Sequence, residues 1–174
     1  MSPLFRPLTA DDLDTMQLIE QAAHAHPWSR NLLAESFGER YFTGSLWQPL
    51  QKAAESVSGG GRLLGYFIAD RILDESTLMN ICVAPELQGQ GFGRLLMSYY
   101  LQHCEQFAVS QCWLEVRASN SAAQALYLAS GYQENGRRRH YYQSAAGDED
   151  AVLMELKLKN SLVVPILNGT LFQG

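Results

Sequence analysis

The sequence has no long apolar run, which excludes a membrane-spanning helix. None of its 174 residues lies in a stretch approaching the roughly 18 uninterrupted apolar residues that such a helix needs. At the start of the chain, Asp11, Asp12 and Asp14 stand where a signal peptide would have its apolar region. We therefore expect a protein that has no membrane partner and stays in the cytoplasm.

The sequence also lacks an excess of basic residues. It has 13 Lys and Arg against 18 Asp and Glu, a formal net charge of −5, whereas binding to nucleic acid through its phosphates requires a basic face. We expect no direct nucleic-acid partner, and a cationic partner is favoured. With 47% apolar and 18% charged residues, the composition is typical of a folded globular protein.

Cysteine is scarce as well. Cys82, Cys104 and Cys112 cannot all pair within one chain, and their spacing matches neither the C-x-x-C motif nor a zinc-finger ligand pattern. We interpret them as reduced, mostly buried thiols and expect no metal site.

The length of the chain fits one domain, which we assign to residues 1–159. The remaining residues, 160–174, are treated as a tail. This tail ends in TLFQG, which resembles what a viral cysteine protease leaves after removing an expression tag. We therefore leave the tail out of the fold prediction.

Hydrophobic periodicity predicts alternating helices and strands. Thr9 and Asp12 resemble a capping box before a helix that reaches about Ala25. Pro27 breaks this helix, and Ser29 is the N-cap of a short second helix. The other predicted elements, in chain order, are strands at 41–47, 63–73 and 76–83, a helix ending near 108, a strand at 111–117, a helix that starts at a Ser121-x-x-Gln124 capping box and stops at Gly131, and two last strands around 132–142 and 151–158.

Two further features follow from this pattern. The Ser- and Gly-rich residues 48–62 are predicted to form a long flexible loop between two antiparallel strands. A short turn at 73–75 joins the predicted strands 63–73 and 76–83, so these two strands should also pair antiparallel. The later strand–helix units complete an α/β fold, which some schemes class as α+β.

A glycine-rich segment, residues 88–94 (QGQGFGR), lies between a predicted strand and a predicted helix. At such a junction, backbone N–H groups and the helix dipole, equivalent to about half a positive charge, can bind a pyrophosphate. A Walker A loop would need Lys followed by Ser or Thr after its last glycine, and a dinucleotide fingerprint would need Gly in place of Arg94. Both of these motifs are absent, and a glycine-rich corner without a ligand remains the alternative.

The Gln-x-x-Gly-x-Gly spacing from Gln88 to Gly93 resembles the acyl-CoA pyrophosphate loop of the GCN5-related N-acetyltransferases (GNAT superfamily). Within this superfamily the chain is similar to the RimI type, the ribosomal-protein alanine N-acetyltransferases, over about residues 1–158. The narrower likeness rests on segments 25–29 (AHPWS), 38–41 (GERY), 80–83 (NICV), 113–120 (WLEVRASN), 125–127 (ALY) and 138–142 (RRHYY). The chain departs from the type in its longer 48–62 loop and in His26, where we expect an apolar or aromatic residue.

This resemblance implies a GNAT fold, in which a mixed, mostly antiparallel central sheet is flanked by helices, and acetyl-CoA as co-substrate. It also implies the residues that bind the cofactor. The pantetheine arm would bind the backbone at Ile81, Cys82 and Val83, whose side chains otherwise fit a plain core. The remaining implied cofactor contacts are Gly89, Gln90, Gly91, Phe92, Gly93, Arg94, Asn120 and Tyr127. Asn120 fits a helix-start residue equally well.

The resemblance assigns two catalytic residues. Glu115 alternates with Trp113 and Arg117 on one face of its strand, which by itself fits a solvated carboxylate; the resemblance makes it the general base. Tyr127 lies at the edge of the helical apolar stripe, which by itself fits a boundary tyrosine; the resemblance makes it the proton donor to the CoA sulfur. A phenol with a pKa of about 10 protonates a thiolate whose conjugate acid is near 8.5 only with help from the site.

The resemblance also places the acceptor between Trp28 and Tyr141, whereas the arginine run 137–139 fits a solvated surface. At pH 7 an α-amino group with a pKa of about 7.8 is roughly 10–15% neutral, and a lysine with a pKa of about 10.4 is roughly 0.04% neutral. This difference favours protein N-termini, and the implied acceptor is the N-terminal alanine of a small-subunit ribosomal protein. An acidic enzyme also attracts a basic ribosomal partner. We expect a monomer or weak dimer.

Two other functions remain open. A polyamine or aminoglycoside acetyltransferase would share the residues that bind the cofactor and would differ around Trp28, the 48–62 loop and Tyr141. A non-catalytic acyl-CoA-binding module would keep the glycine segment and would not need Glu115 or Tyr127.

Overall fold

A computed structural model describes residues 3–49, 61–143 and 147–159. The strands in these residues are β1 (Leu4–Arg6), β2 (Tyr41–Pro49), β3 (Gly61–Ile72), β4 (Glu75–Val83), β5 (Gln111–Arg117), β6 (Gln133–Tyr142) and β7 (Glu149–Lys157). The helices are α1 (Leu13–Ala23), α2 (Arg30–Glu35), α3 (Phe92–Gln106) and α4 (Ser121–Ala129). Each predicted helix and strand is present, and the three-residue β1, too short for a periodic pattern, is an addition.

The seven strands form one sheet in the order β1-β2-β3-β4-β5-β7-β6. The pair β4–β5 is parallel and the other pairs are antiparallel, so the sheet is mixed and mostly antiparallel, as predicted. The parallel pair is joined by a crossover through α3, as parallel strands require. None of the described helices is both long enough and apolar enough to cross a membrane.

Several element boundaries in the structure differ from the predicted ones. α1 ends at Ala23 rather than near Ala25, and the Thr9–Asp12 capping box starts a single 3₁₀ turn that precedes it. β2 and β3 extend further than predicted, to a pair between Pro49 and Gly61. The predicted 48–62 loop is thereby reduced to residues 50–60, which lie outside the described residues. The 160–174 tail also lies outside them, so its assignment and the single-domain boundary stay predictions.

Two buried clusters pack on the sheet. The α3-side cluster includes Leu96, Met97 and Tyr100 of α3 together with Leu114 of β5. The α1-side cluster includes Leu13 and Met16 of α1, Leu33 of α2, and Trp47, Tyr66 and Cys82 of the sheet. Cys82, Cys104 and Cys112 are all unpaired and buried, which confirms the prediction.

β4 and β5 separate towards their carboxyl ends. Their pairing runs from Glu75↔Gln111 to Leu78↔Leu114 and stops there, although β4 continues to Val83 and β5 to Arg117. β4 stays paired with β3 as far as Val83, and β5 stays paired with β7 as far as Arg117. The separation therefore leaves the facing edges of two ordered strands open to a further extended segment.

A β-bulge lies at the start of this gap. Ile68 of β3 pairs with Asn80 and Ala69 pairs with Leu78, which leaves Met79 as an extra residue on β4. An extra residue reverses the direction of the side chains that follow it. As a result Leu78 belongs to the α3-side cluster, whereas Cys82 belongs to the α1-side cluster.

Candidate active site

A cavity of about 670 Å³ lies along β4 beyond its last pair with β5. This volume is within the range of small-molecule sites. Of the predicted site residues, it is lined by Ile81, Val83, Gly89, Gln90, Gly91, Gly93, Arg94 and Asn120. The structure thus brings the predicted strand, glycine segment and helix start together.

Sequence reasoning missed part of the cavity wall. Ala23 and His24 contribute from the end of α1, and four alanines and Leu126 contribute from α4. The helical apolar stripe beside Tyr127 faces the cavity as well as the core: Ala122, Ala125, Leu126 and Ala129 line the cavity, and the three alanines are exposed. Their small size is the signal: alanines leave room for a ligand where leucines would fill a core.

The glycine segment forms a cradle of backbone groups at the start of α3. Gly89 and Gly91 have φ values of +73° and +91°, a conformation that glycine adopts without strain. The first N–H of α3 with a backbone acceptor is that of Leu95, which donates to the Gly91 carbonyl. The preceding N–H groups therefore point out of the helix end, where the dipole favours an anion.

Two side chains hold this cradle in shape. Gln88 donates from Nε2 to the Val83 carbonyl at 3.1 Å, and Gln90 donates from Nε2 to the Glu86 carbonyl at 2.8 Å. Phe92, a predicted cofactor contact, does not line the cavity; its side chain packs against the core. What Phe92 can offer a ligand is its backbone N–H.

Asn120 is the N-cap of α4. Its Oδ1 accepts from the Ala123 N–H at 3.1 Å. Gln124 instead donates to the Arg117 and Ala118 carbonyls, so the predicted Ser121–Gln124 capping box is wrong. Asn120 also lines the cavity, so the helix-start role and a ligand contact are compatible.

Tyr127 is buried, with 7% of its surface exposed, so its predicted place at the edge of the apolar face is wrong. Its ring lies 6.2 Å from that of Tyr132, and its hydroxyl makes no hydrogen bond within the described part of the chain. Burial, together with Tyr142, raises the pKa of Tyr127 above its usual value, so the phenol stays protonated at neutral pH.

Glu115 lies one residue beyond Leu114, where β5 parts from β4. Its neighbours Leu114 and Val116 are buried on the opposite face of the strand, as the alternating pattern predicted. The Glu115 side chain is 28% exposed, and its Oε1 lies 3.2 Å from Nη2 of Arg138. The carboxylate is thus partly solvated and held at the start of the gap, and it does not line the cavity itself.

The two predicted acceptor residues lie outside the cavity wall. Trp28 is half-buried beside the α1-side cluster. Tyr141 is 48% exposed, and the Arg138 guanidinium carbon lies 5.2 Å from the centre of its ring. Arg137 pairs with Glu134 at the surface, so the surface interpretation of the arginine run holds for Arg137 and misses the Arg138–Glu115 contact.

Glu20 is a buried carboxylate that the sequence reasoning missed. It is 1% exposed, and it accepts from the Tyr66 hydroxyl at 2.5 Å and from the Asn80 amide at 3.2 Å. The Trp28 N–H donates to its Oε1 at 3.0 Å. The signal in the sequence was a glutamate four residues after Met16, on the apolar face of α1.

Glu20, His24 and Cys82 bring three possible metal-ligand atoms within 4.8 Å of one another. The Glu20 oxygens already accept hydrogen bonds from protein donors, and burial together with Glu20 raises the pKa of the Cys82 thiol. Because metal binding needs a thiolate, this set fits a buried hydrogen-bond network better than a metal site. The absence of a metal stays a prediction.

Comparisons with known proteins agree with the observed fold. The model of the acetyltransferase (GNAT) family matches residues 14–132. A ribosomal protein bS18-alanine N-acetyltransferase from Escherichia coli K12 is 42% identical over 151 residues, which are 87% of this chain and 95% of that protein. Its counterpart from Haemophilus influenzae is 37% identical over 148 residues, which are 84% and 93%.

A solved structure of the same type of enzyme is also similar to this chain. The crystal structure of the ribosomal-protein-S18-alanine N-acetyltransferase from Escherichia coli matches with a TM-score of 0.77 at 40% identity, covering 89% of this chain and 93% of that one. The resemblance inferred from the sequence motifs is confirmed. The chain belongs to the GNAT family of acetyltransferases.

Proposed function

We propose that this protein transfers the acetyl group of acetyl-CoA to the N-terminal α-amine of a small-subunit ribosomal protein, preferably one that begins with alanine. The observation that carries this proposal is the 42% identity to the bS18-alanine N-acetyltransferase of Escherichia coli over 95% of its length. A ribosomal acceptor would place the reaction in the cytoplasm.

The cofactor half of the site is made mostly of backbone. We assign the pantetheine arm to the gap between β4 and β5, where Ile81 and Val83 line the cavity and β4 pairs with no strand of the described residues on that side. Gly89, Gly91 and the first N–H groups of α3 would hold the pyrophosphate, and Arg94 would add a full positive charge. Acetyl-CoA, when bound, supplies the thioester carbon that the amine attacks.

In this proposal Glu115 is the general base. It takes a proton from the acceptor ammonium, directly or through one water, and so produces the neutral amine that forms the N–C bond. Its place at the start of the gap, one residue past the last β4–β5 pair, supports this role, because the thioester end of the pantetheine arm would lie nearby. The contact with Arg138 restricts the orientation of the carboxylate.

Tyr127 is the proposed acid. As the C–S bond breaks, its hydroxyl gives a proton to the departing sulfur, and the second proton that the nitrogen loses as the amide forms returns through solvent to restore the phenol. The raised pKa of Tyr127 keeps the proton available but also makes the phenol a weaker acid. Because a thiolate in the same buried surroundings is desolvated too, its own basicity rises, and this offsets the weaker acidity.

The acceptor is proposed to enter beside Trp28 and Tyr141. An α-amine suits a partly exposed base such as Glu115, because about 10–15% of the α-amine is already neutral at pH 7. A lysine would need a much larger shift of its pKa to be neutral at this pH. An acidic chain, with its net charge of −5, also attracts a basic acceptor over long range.

Three peptides of one basic sequence test the proposal: one with a free N-terminal alanine, one with a blocked N-terminus and an internal lysine, and one with N-terminal proline. Acetylation is located by mass spectrometry. Only the alanine peptide should react well, because blocking removes the nucleophile and the secondary amine of proline is more crowded. Acetylation of the blocked peptide at its lysine at a similar rate would contradict the proposal.

Polyamines and aminoglycosides belong in the same assay. If spermidine or an aminoglycoside reacts and none of the peptides does, the small-molecule alternative replaces the proposal. If acetyl-CoA binds and no amine reacts, the non-catalytic alternative does. In both cases the cofactor assignments would stand and those of Trp28 and Tyr141 would not.

A further inference from the structure

Glu20 is a buried titratable group that the proposed reaction does not use. Its carboxylate connects three parts of the fold: it accepts from Tyr66 on β3, from Asn80 on β4 and from the backbone of Trp28 in the connection between α1 and α2. A carboxylate that is 1% exposed persists only when its oxygens are satisfied. Glu20 meets this condition with donors from three different elements.

The connection between α1 and α2, residues 24–29, has no regular secondary structure. It carries Trp28 on the proposed acceptor side and His24 in the cavity wall. Among the described residues, the bond from the Trp28 N–H to Glu20 is the only hydrogen bond made by the backbone of residues 25–28. In the described structure, Glu20 is therefore the side chain that holds the backbone of residues 25–28 by a hydrogen bond, and packing of the Trp28 side chain against the α1-side cluster adds to this hold.

The other end of the Glu20 network lies at the gap. Asn80 comes directly after the bulge residue Met79 and two residues after the last β4–β5 pair. His24 approaches the same carboxylate, with 3.7 Å between its Nε2 and Oε2 of Glu20. The network thus couples the turn that carries Trp28 to the part of β4 where the thioester is proposed to lie.

We propose that Glu20 is a positioning residue for the acceptor: it fixes the 24–29 turn against β3 and β4 and thereby sets the KM for the acceptor and the preference for its first residue. This inference rests on the proposed function, because it takes the acceptor to be a peptide N-terminus. An amide is a poorer replacement for the carboxylate, because it offers one neutral acceptor oxygen in place of two charged ones: if that oxygen keeps the Trp28 N–H, the Tyr66 hydroxyl loses the acceptor to which it donates.

The test compares Glu20→Gln with wild type in calorimetry with acetyl-CoA and in steady-state kinetics with peptides that begin with Ala or Met. We expect the Kd for acetyl-CoA to change less than about twofold, the KM for the Ala peptide to rise about tenfold or more, and kcat to fall less than about threefold. The preference for Ala over Met should narrow by about fivefold. Loss of stability alone would lower the amount of active enzyme and would change neither the KM for the Ala peptide nor the preference for Ala over Met.

Two further variants keep the inference testable. Tyr66→Phe leaves the charge of Glu20 in place, removes one of its donors and nearly preserves the side-chain volume, so the KM for the Ala peptide should rise by about threefold. This variant tests the inference if Glu20→Gln fails to fold. Asp70→Asn is the matched control: Asp70 is also a buried carboxylate that ties elements together, accepting from Arg40 and from the Thr77 N–H. It should leave the KM and the preference unchanged.

The outcomes separate the inference from the proposed function. If wild type acetylates the Ala peptide and Glu20→Gln keeps its KM and preference, or Asp70→Asn changes them as much, the inference is overturned and the proposed function stands. If wild type acetylates no peptide, both are overturned. If the affinity for acetyl-CoA falls as much as that for the peptide, Glu20 supports the whole site, and the acceptor role is overturned.

Discussion

Arg138 on β6 reaches across β7 and places its Nη2 3.2 Å from Oε1 of Glu115 on β5. The same guanidinium lies 5.2 Å from the ring centre of Tyr141. Burial, together with the negative charge of Glu115, raises the pKa of the neighbouring Tyr142. The proposed base and the proposed acceptor tyrosine therefore both contact one cation, and this contact restricts the orientation of the Glu115 carboxylate.

The first prediction is that Glu115→Gln abolishes most turnover and preserves the binding of acetyl-CoA. The amide keeps the size of the side chain and cannot accept the ammonium proton, so kcat should fall by about 10²–10⁴. The decisive measurement is kcat from pH 6 to 9. Activity that returns as the pH rises indicates that solvent replaces the base.

Glu155→Gln is the matched control for Glu115→Gln. Glu155 lies on β7 opposite Trp113, is partly buried and accepts from Gln111 Nε2 at 2.8 Å. It should retain wild-type turnover. Wild-type kcat in Glu115→Gln across the pH range would exclude Glu115 as the base.

The second prediction is that Tyr127→Phe lowers kcat with little effect on stability. The Tyr127 hydroxyl makes no hydrogen bond to the described residues, so removing it should change the free energy of unfolding by less than about 1 kcal/mol. Loss of the proton donor should slow turnover by about 10² or more. A substrate with a better thiol leaving group should recover part of the loss, because it needs the proton less.

Tyr132→Phe is the matched control for Tyr127→Phe. Tyr132 packs 6.2 Å away and is also buried, and its hydroxyl has no hydrogen-bond partner in the described structure. Removing an unsatisfied buried hydroxyl should leave kcat unchanged and stabilise the fold by up to about 1 kcal/mol. If both variants lose turnover equally, the role of Tyr127 is packing rather than proton donation.

The sequence predicted which residues meet at the cavity better than it predicted the contacts of Glu115, for a physical reason. The glycine segment and the start of α4 act through backbone geometry that short motifs encode locally, and Gly89, Gly91 and Asn120 do reach one cavity. The alternation around Glu115 likewise follows from the two-residue repeat of a strand. Its contact with Arg138 depends on the order β5-β7-β6, which no local pattern reveals.

The network of Glu20 shows the same limit. Its partners Tyr66 and Asn80 are 46 and 60 residues away in the chain. They meet it because the bulge at Met79 directs Asn80 towards α1. A glutamate on an apolar helix face was visible in the sequence, and its partners were not.

The third prediction concerns stability at low pH. Burial opposes the ionisation of Asp12, but bonds from Arg6 and Thr9 outweigh burial and hold the pKa of this carboxyl below its usual value. A depressed folded-state pKa adds stability that is present above the unfolded pKa of about 3.9 and is lost as the pH falls through the lower folded value.

Asp12→Asn should therefore lower the free energy of unfolding by about 1–3 kcal/mol at pH 7, and this difference from wild type should shrink below about pH 4. Urea unfolding at several pH values measures it. Asp14→Asn is the control, because the Asp14 side chain is 81% exposed in its pair with Arg30 and should matter by less than about 0.5 kcal/mol. A cost for Asp12→Asn that is constant down to pH 2 would contradict the prediction.

The last prediction is that Gly91→Val weakens the binding of acetyl-CoA by about tenfold or more, about 1.4 kcal/mol. Gly91 has a φ of +91° as the N-cap of α3, and a β-branched residue must leave this region and rotate the N–H groups of the cradle. Gly136→Val is the control: a Cβ there also meets open space, and its φ is not positive. In calorimetry it should bind acetyl-CoA like wild type, and unchanged affinity in a folded Gly91→Val would remove the glycine segment from the cofactor site.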